Sequence, residues 1–160
     1  MPESERPEAR IEHTIAAPID RVWSAFVEPA EFAGWYGPPG AVIPVCEMDV
    51  AVGGRRFVGM EMTTPNGARQ MWFVGEFVEL SSPTRLAYTE VLADADGRAL
   101  PPEASGMPPE MTSTEVVVEL AEADAGGTDL VVRHIGILAD SPGAMGWRMA
   151  IDQLDERLTG

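Results

Sequence analysis

The chain has 160 residues, 45% of them apolar and without a second composition regime, which is the size and make-up of one domain with a substantial core. Its formal charge of −15 argues against nucleic acid and anionic membrane as partners, because both require a basic footprint that displaces counterions. No apolar run reaches membrane-spanning length; the absence of a targeting pattern and the single cysteine, Cys46, point to a cytoplasmic protein without an intrachain disulfide.

Residues 1–10 carry Pro2, Pro7, Glu3, Glu5 and Glu8 without an apolar period and read as a disordered lead-in to a single domain over 11–160. Ile11, His13 and Ile15 alternate with Glu12 and Thr14, the period of a half-buried strand. Pro18 stands at a first helical position, and Ile19, Val22, Trp23 and Phe26 follow at the spacing of an inward helix face. Pro29 ends that helix and starts a second short one anchored by Phe32 and Trp35, after which Gly37-Pro38-Pro39-Gly40 force an irregular connection. Strands are expected over 43–50, 55–62, 69–80, 85–91, 112–120 and 128–135. Gly53-Gly54, Pro65-Asn66-Gly67, Ser82-Pro83 and Gly126-Gly127 mark hairpin turns between them. Residues 94–110 contain Pro101, Pro102, Pro108 and Pro109, too many breakers for either element, and are expected to form a long loop, a lid or a disordered segment. Ser141 and Pro142 then open a helix whose Trp147, Ile151, Leu154 and Leu158 fall on one stripe about 60° wide, which needs a sheet to lie on. Met145 and Met149 fall nearly opposite that stripe, among Arg148, Asp152 and Glu156, and are expected to be exposed.

The pieces Ala17-Pro18-Ile19-Asp20-Arg21-Val22-Trp23, Trp35-Tyr36-Gly37-Pro38, Asp49 with Gly53-Gly54-Arg55, Gly75-Glu76-Phe77, Arg85-Leu86-Ala87-Tyr88-Thr89 and Gly146-Trp147 stand in a familiar order and spacing. They resemble the heat-shock-protein-90 ATPase activator homologue family, from about Ile11 to Leu158. The resemblance implies the START-like, polyketide-cyclase and birch-pollen-allergen (SRPBCC) superfamily and its α+β helix-grip fold. In that fold a curved antiparallel sheet of six to seven strands wraps a long C-terminal helix, with two short helices after strand one. It implies no single activity, because the superfamily includes lipid and hormone carriers, aromatase-cyclases, drug-sequestering proteins and co-chaperone domains.

Such a sheet and helix enclose a cavity, and strand alternation gives its expected lining. Phe73, Gly75 and Phe77 form one inward set; Leu86, Tyr88 and Glu90, then Val116, Val118 and Leu120, then Leu130, Val132 and His134 form the next. Phe57, Gly59 and Glu61 are taken as the matching set on the preceding strand. Trp35 and Tyr36, in the bend, gate the mouth or contact a ligand, or else anchor local packing. The ligand-facing candidates are therefore Trp35, Tyr36, Phe57, Glu61, Phe73, Phe77, Tyr88, Glu90, Val118, Val132 and His134. For Glu61 an ordinary outward position is the stronger reading; for Glu90 and His134 the inward and outward readings stand level. Met60, Met62, Met71 and Met111 suit a pliable wall, and Trp72, next to Phe73, belongs on the outer face.

His13 and His134 are the only histidines, so three imidazoles cannot meet at a metal, and no metal or cofactor is expected. The serines lie in no nucleophile elbow, and the glycine pairs lack the lysine of a phosphate loop. Cys46, beside Glu47 and Asp49, reads as a small core side chain with a raised thiol pKa. The expected function is binding of a hydrophobic small molecule, lipid or polyketide-like, without assigned catalysis. The first alternative is a co-chaperone-type module with a protein partner; the second is a polyketide-cyclase-like enzyme using Glu90 and His134 as an acid-base pair.

Overall fold

A computed structural model describes residues 7–101 and 113–159. Seven antiparallel strands form one sheet in the order β1-β7-β6-β5-β4-β3-β2. Strand β1 (Glu8–Ile15) starts three residues before the expected Ile11. Glu8 pairs with Ile135 across the ladder, and its carboxylate holds Arg133 at 2.8 Å, so 8–10 belong to the sheet and not to a lead-in. The chain then crosses to the far edge through α1 (Ile19–Val27) and the single turn α2 (Pro29–Phe32). Val22, Ala25 and Phe26 bury the inner face of α1, while Ile19 and Trp23 pack partly against the same core.

From that edge the strands run as one meander: β2 (Val42–Met48), β3 (Arg55–Thr64), β4 (Gly67–Ser81), β5 (Arg85–Ala93), β6 (Ser113–Glu122) and β7 (Thr128–Ile135). The four expected turns join them at the expected places. Of the long 94–110 segment, the described part, through residue 101, folds back on β5, with Ala99 bridged to Ala93 and the Leu100 amide donating to the Leu92 carbonyl at 2.9 Å. Residues 102–110 of that segment, together with Met111, lie outside the described residues.

Helix α3 (Pro142–Thr159) lies across the concave face and buries Ala144, Trp147, Ala150, Ile151 and Leu154. His13 on β1 meets Asp155 on this helix at 2.6 Å, so His13 ties sheet to helix, a structural role. Gln153 donates to the carbonyls of Trp35 and Gly37 at 3.2 and 2.6 Å, fixing the bend after α2 to the helix. This is the helix-grip architecture: sheet, closing helix and short helices share one core of inward residues. Among the described residues no helix is long and apolar enough to cross a membrane.

Candidate functional site

The concave face is packed at one end and open at the other. At the packed end Phe26 and Phe32 meet Trp35 edge-on, with ring centroids 5.0 and 5.1 Å apart, and the Trp35 indole N–H donates to the Ala25 carbonyl at 2.9 Å. Trp35 is thus a buried packing anchor and not a gate. Phe77, Tyr88, Val118 and Val132 belong to the same buried core. At the open end a pocket of about 550 Å³ lies between the sheet, the bend after α2 and the start of α3. Four of the sequence candidates line it: Tyr36, Phe73, Glu90 and His134.

Strand β3 is in the opposite phase from the one expected. Arg56, Val58, Met60 and Met62 face inward, and Phe57, Gly59 and Glu61 lie on the convex face. There Phe57 stacks on Trp72 at 5.7 Å, Trp72 lies over the bare Gly59, and Glu61 accepts from the Gln70 amide at 3.0 Å. An aromatic pair seated over a glycine satisfies the outer face and leaves the methionines to the pocket. Met60, Met62 and Met71 form that wall, and Met149 joins them from α3 instead of being exposed; Met145 is 59% exposed, as expected.

The phase of β3 brings in a residue that alternation missed. Arg56 is only 2% exposed, with its guanidinium 3.6 Å from the Tyr88 ring centroid and 5.3 and 5.7 Å from those of Phe32 and Phe77. Such rings attract a cation when water is excluded, and the weakly hydrated guanidinium tolerates burial better than an ammonium. Its Nη1 stands 4.0 Å from Glu90 Oε2, while among the described residues its Nε and the Tyr88 hydroxyl have no hydrogen-bond partner. The run Val58, Met60, Met62 is more apolar than Phe57, Gly59, Glu61, and that was the signal for the true phase.

Glu90 stands where core meets pocket. Along β5 the preceding inward residue, Tyr88, is fully buried, and the following one, Leu92, lines the pocket. Burial pushes the Glu90 carboxyl up to about 7, against the pull of the Arg56 charge. Beside it, His134 is held on both sides. The Trp147 indole N–H donates to Nδ1 at 3.0 Å, and Nε2 lies 2.8 Å from Thr114 Oγ1. An indole can only donate, so Nδ1 is an acceptor, the ring is the Nε2–H tautomer, and Nε2–H donates to Thr114. The Thr114 hydroxyl donates onward to the Glu90 carbonyl at 3.3 Å.

Burial first, and the neighbouring Glu90 charge second, hold the Tyr36 phenol well above its ordinary range. Cys46 is packed partly against the core, and burial, not its acidic neighbours, pushes its thiol up to about 11. Among the described residues no group of three His, Cys, Asp or Glu is placed to hold a metal ion.

The fold recurs in solved structures. A protein from Mycobacterium smegmatis is 24% identical, with 98% of this chain and 93% of that one covered and a TM-score of 0.77. One from Chromobacterium violaceum is 25% identical, covering 96% and 99%, with a TM-score of 0.76. The AHSA1 protein from Silicibacter pomeroyi is 19% identical, covering 94% and 96%, with a TM-score of 0.70. No curated protein matches the chain. The profile of one family, described as Activator of Hsp90 ATPase homolog 1-like protein (AHSA1), matches residues 16–159, nearly the whole length. The chain belongs to that family.

Proposed function

We propose that the protein binds a hydrophobic small molecule in the pocket at the open end of the grip. The observation that carries this reading is the wall itself: about 550 Å³ lined, among the described residues, mostly by apolar side chains, four of them methionines, with one carboxyl group. That volume suits a small ligand, and flexible thioethers adapt to its shape. A co-chaperone-type module would instead present a contiguous outer patch. Among the described residues the exposed large apolar side chains are dispersed, with Val50 and Val52 in the β2-β3 turn, Val42 and Val78 on strands, and Leu138 and Met145 near the pocket rim. A cyclase-like enzyme would need a second group able to exchange protons with the ligand, and both ring nitrogens of His134 are engaged within the wall.

Native mass spectrometry of the purified protein, followed by a thermal-shift screen of fatty acids, flavonoids and polyketide-like aromatics, tests the reading. A ligand at 100 times its Kd adds about 2.7 kcal/mol of stability. Gly146 lines the pocket and its Cβ position meets no atom within 4 Å, so Gly146→Phe is expected to plug the space, keep the fold and abolish the shift. A clean apo mass with no shift across the screen rejects the proposal.

A further inference from the structure

We infer that the ligand carries an uncharged hydroxyl-type donor, an alcohol or phenol, and that the Glu90 carboxyl receives it at the floor of the pocket, with the apolar body lying along the methionine wall. This rests on the pocket-binding reading and adds the chemistry and orientation of the ligand.

Three polar side chains form the floor: Glu90, Thr114 and His134. Each sits one inward step beyond a fully buried residue, namely Tyr88, Val116 and Val132, so the packed core ends at this row. Two of the three are already engaged. The indole N–H, both imidazole nitrogens and the threonine hydroxyl form one continuous chain that ends on the Glu90 carbonyl. Only the Glu90 carboxyl retains capacity: it is 7% exposed, lines the pocket and, among the described residues, makes no side-chain hydrogen bond and has Arg56 Nη1 at 4.0 Å as its charged partner. A buried carboxyl with open lone pairs costs stability until a donor reaches it, so a ligand that supplies one gains more there than at any other point on the wall.

Charge decides the kind of donor. Among the described residues Glu90 is the one carboxylate in the wall, and Arg56, which offsets it, stands behind it and does not line the pocket. A carboxylate or phosphate ligand would meet Glu90 with no cation within reach. An ammonium would compete with a guanidinium already beside the same carboxyl, and no second acid helps it. A neutral hydroxyl meets neither obstacle. The Tyr36 phenol, in the same wall and without a hydrogen bond among the described residues, is a donor that such a hydroxyl can accept from in return.

The test is a matched pair of probes, 1-naphthol and 1-methoxynaphthalene, titrated calorimetrically into the full chain at about pH 8, where the Glu90 carboxyl is ionised and can only accept. They share the same ring system, and only the first can donate. For the wild type we expect naphthol to bind about tenfold tighter or more, the usual worth of a hydrogen bond to an ionisable group. Glu90→Leu is expected to reduce that preference below about twofold. If that variant does not fold because it strands Arg56, the double variant Arg56→Met/Glu90→Leu removes both charges and makes the same comparison. Equal affinities for the two probes in the wild type, or a preference that survives in the leucine variant, overturn the Glu90 anchor while the pocket reading stands. Failure of both probes to bind, with no thermal shift in the broader screen, overturns both readings together.

Discussion

Glu90 makes stability depend on pH in a direction opposite to most carboxylates. Its carboxyl is moved from 4.5 to about 7 by burial, with Arg56 opposing. At about 1.36 kcal/mol per pH unit, this separates the two protonation states by roughly 3 kcal/mol. The folded chain keeps a proton that the unfolded chain loses above its ordinary value, so the contribution is full below pH 4.5, is lost as pH rises toward 7, and is flat beyond. Glu90→Gln cannot titrate, and every other group cancels in the difference between the two proteins. Urea unfolding of both, followed by tryptophan fluorescence from about pH 4.5 to 8, should show the wild type losing roughly 3 kcal/mol relative to the glutamine variant, nearly all of it below about pH 7. Profiles parallel within about 0.5 kcal/mol would refute the burial of an unrelieved carboxyl. A wild type that gains on its variant as pH rises would mean that the Arg56 charge outweighs desolvation.

Arg56→Met removes the one charge that holds the Glu90 carboxyl down, so its midpoint should move above about 7, read from the carboxyl carbon shift by NMR; an unchanged midpoint rejects the pairing. Trp147→Phe leaves His134 Nδ1 buried without its donor and should cost about 1–3 kcal/mol in denaturant unfolding, while the ring nitrogen shifts of His134 should lose the Nε2–H pattern of the wild type. Gly59→Ala drives a Cβ into the Trp72 ring and should cost about 1–3 kcal/mol, with Trp72→Ala relieving part of it as a measurable coupling. Gly75→Ala meets the Thr89 backbone carbonyl, which no side-chain truncation relieves, and should be the more damaging of the two.

The order of elements was legible because each carries its own local signal. Pro18 and Pro29 start α1 and α2, glycine or proline pairs mark the turns, and the Trp147, Ile151, Leu154 stripe needs only helical spacing. The phase of β3 was only weakly legible, in the apolar run Val58, Met60, Met62. A strand with Arg56 on one face and Glu61 on the other offers a charged residue to either side, and Phe57 is the largest apolar group in it, so side-chain size favoured the wrong face. The deciding facts are nonlocal: Gly59 lies under Trp72 across the ladder, and Arg56 finds three aromatic rings contributed by α2, β4 and β5. Glu90 and His134, by contrast, were reachable because Tyr88, Leu130 and Val132 hold their strands in phase without a bulge. The split between pocket and packed core was not reachable either, since alternation tells inward from outward and says nothing of how far along the groove the core is filled.

That boundary is where the buried charges sit. The core side of the floor holds Phe77 and Tyr88 edge-on at 6.2 Å with Arg56 against the tyrosine ring, whereas the far side is built from methionines and the glycines Gly136, Gly143 and Gly146, which leave volume unfilled. A buried ion pair at 4.0 Å without hydrogen bonds between its members is a poor stabiliser, and replacing such pairs with apolar residues of similar size is often neutral or stabilising by about 1–4 kcal/mol. Arg56→Met/Glu90→Leu should therefore unfold at equal or higher denaturant concentration than the wild type, and should lose the part of the pH dependence between about 4.5 and 7 that Glu90 supplies. If it also binds 1-naphthol and 1-methoxynaphthalene alike, the pair serves ligand recognition at the expense of stability. If it unfolds more easily than the wild type by more than about 1 kcal/mol, the charges hold the floor together and the case for Glu90 as an open binding group fails.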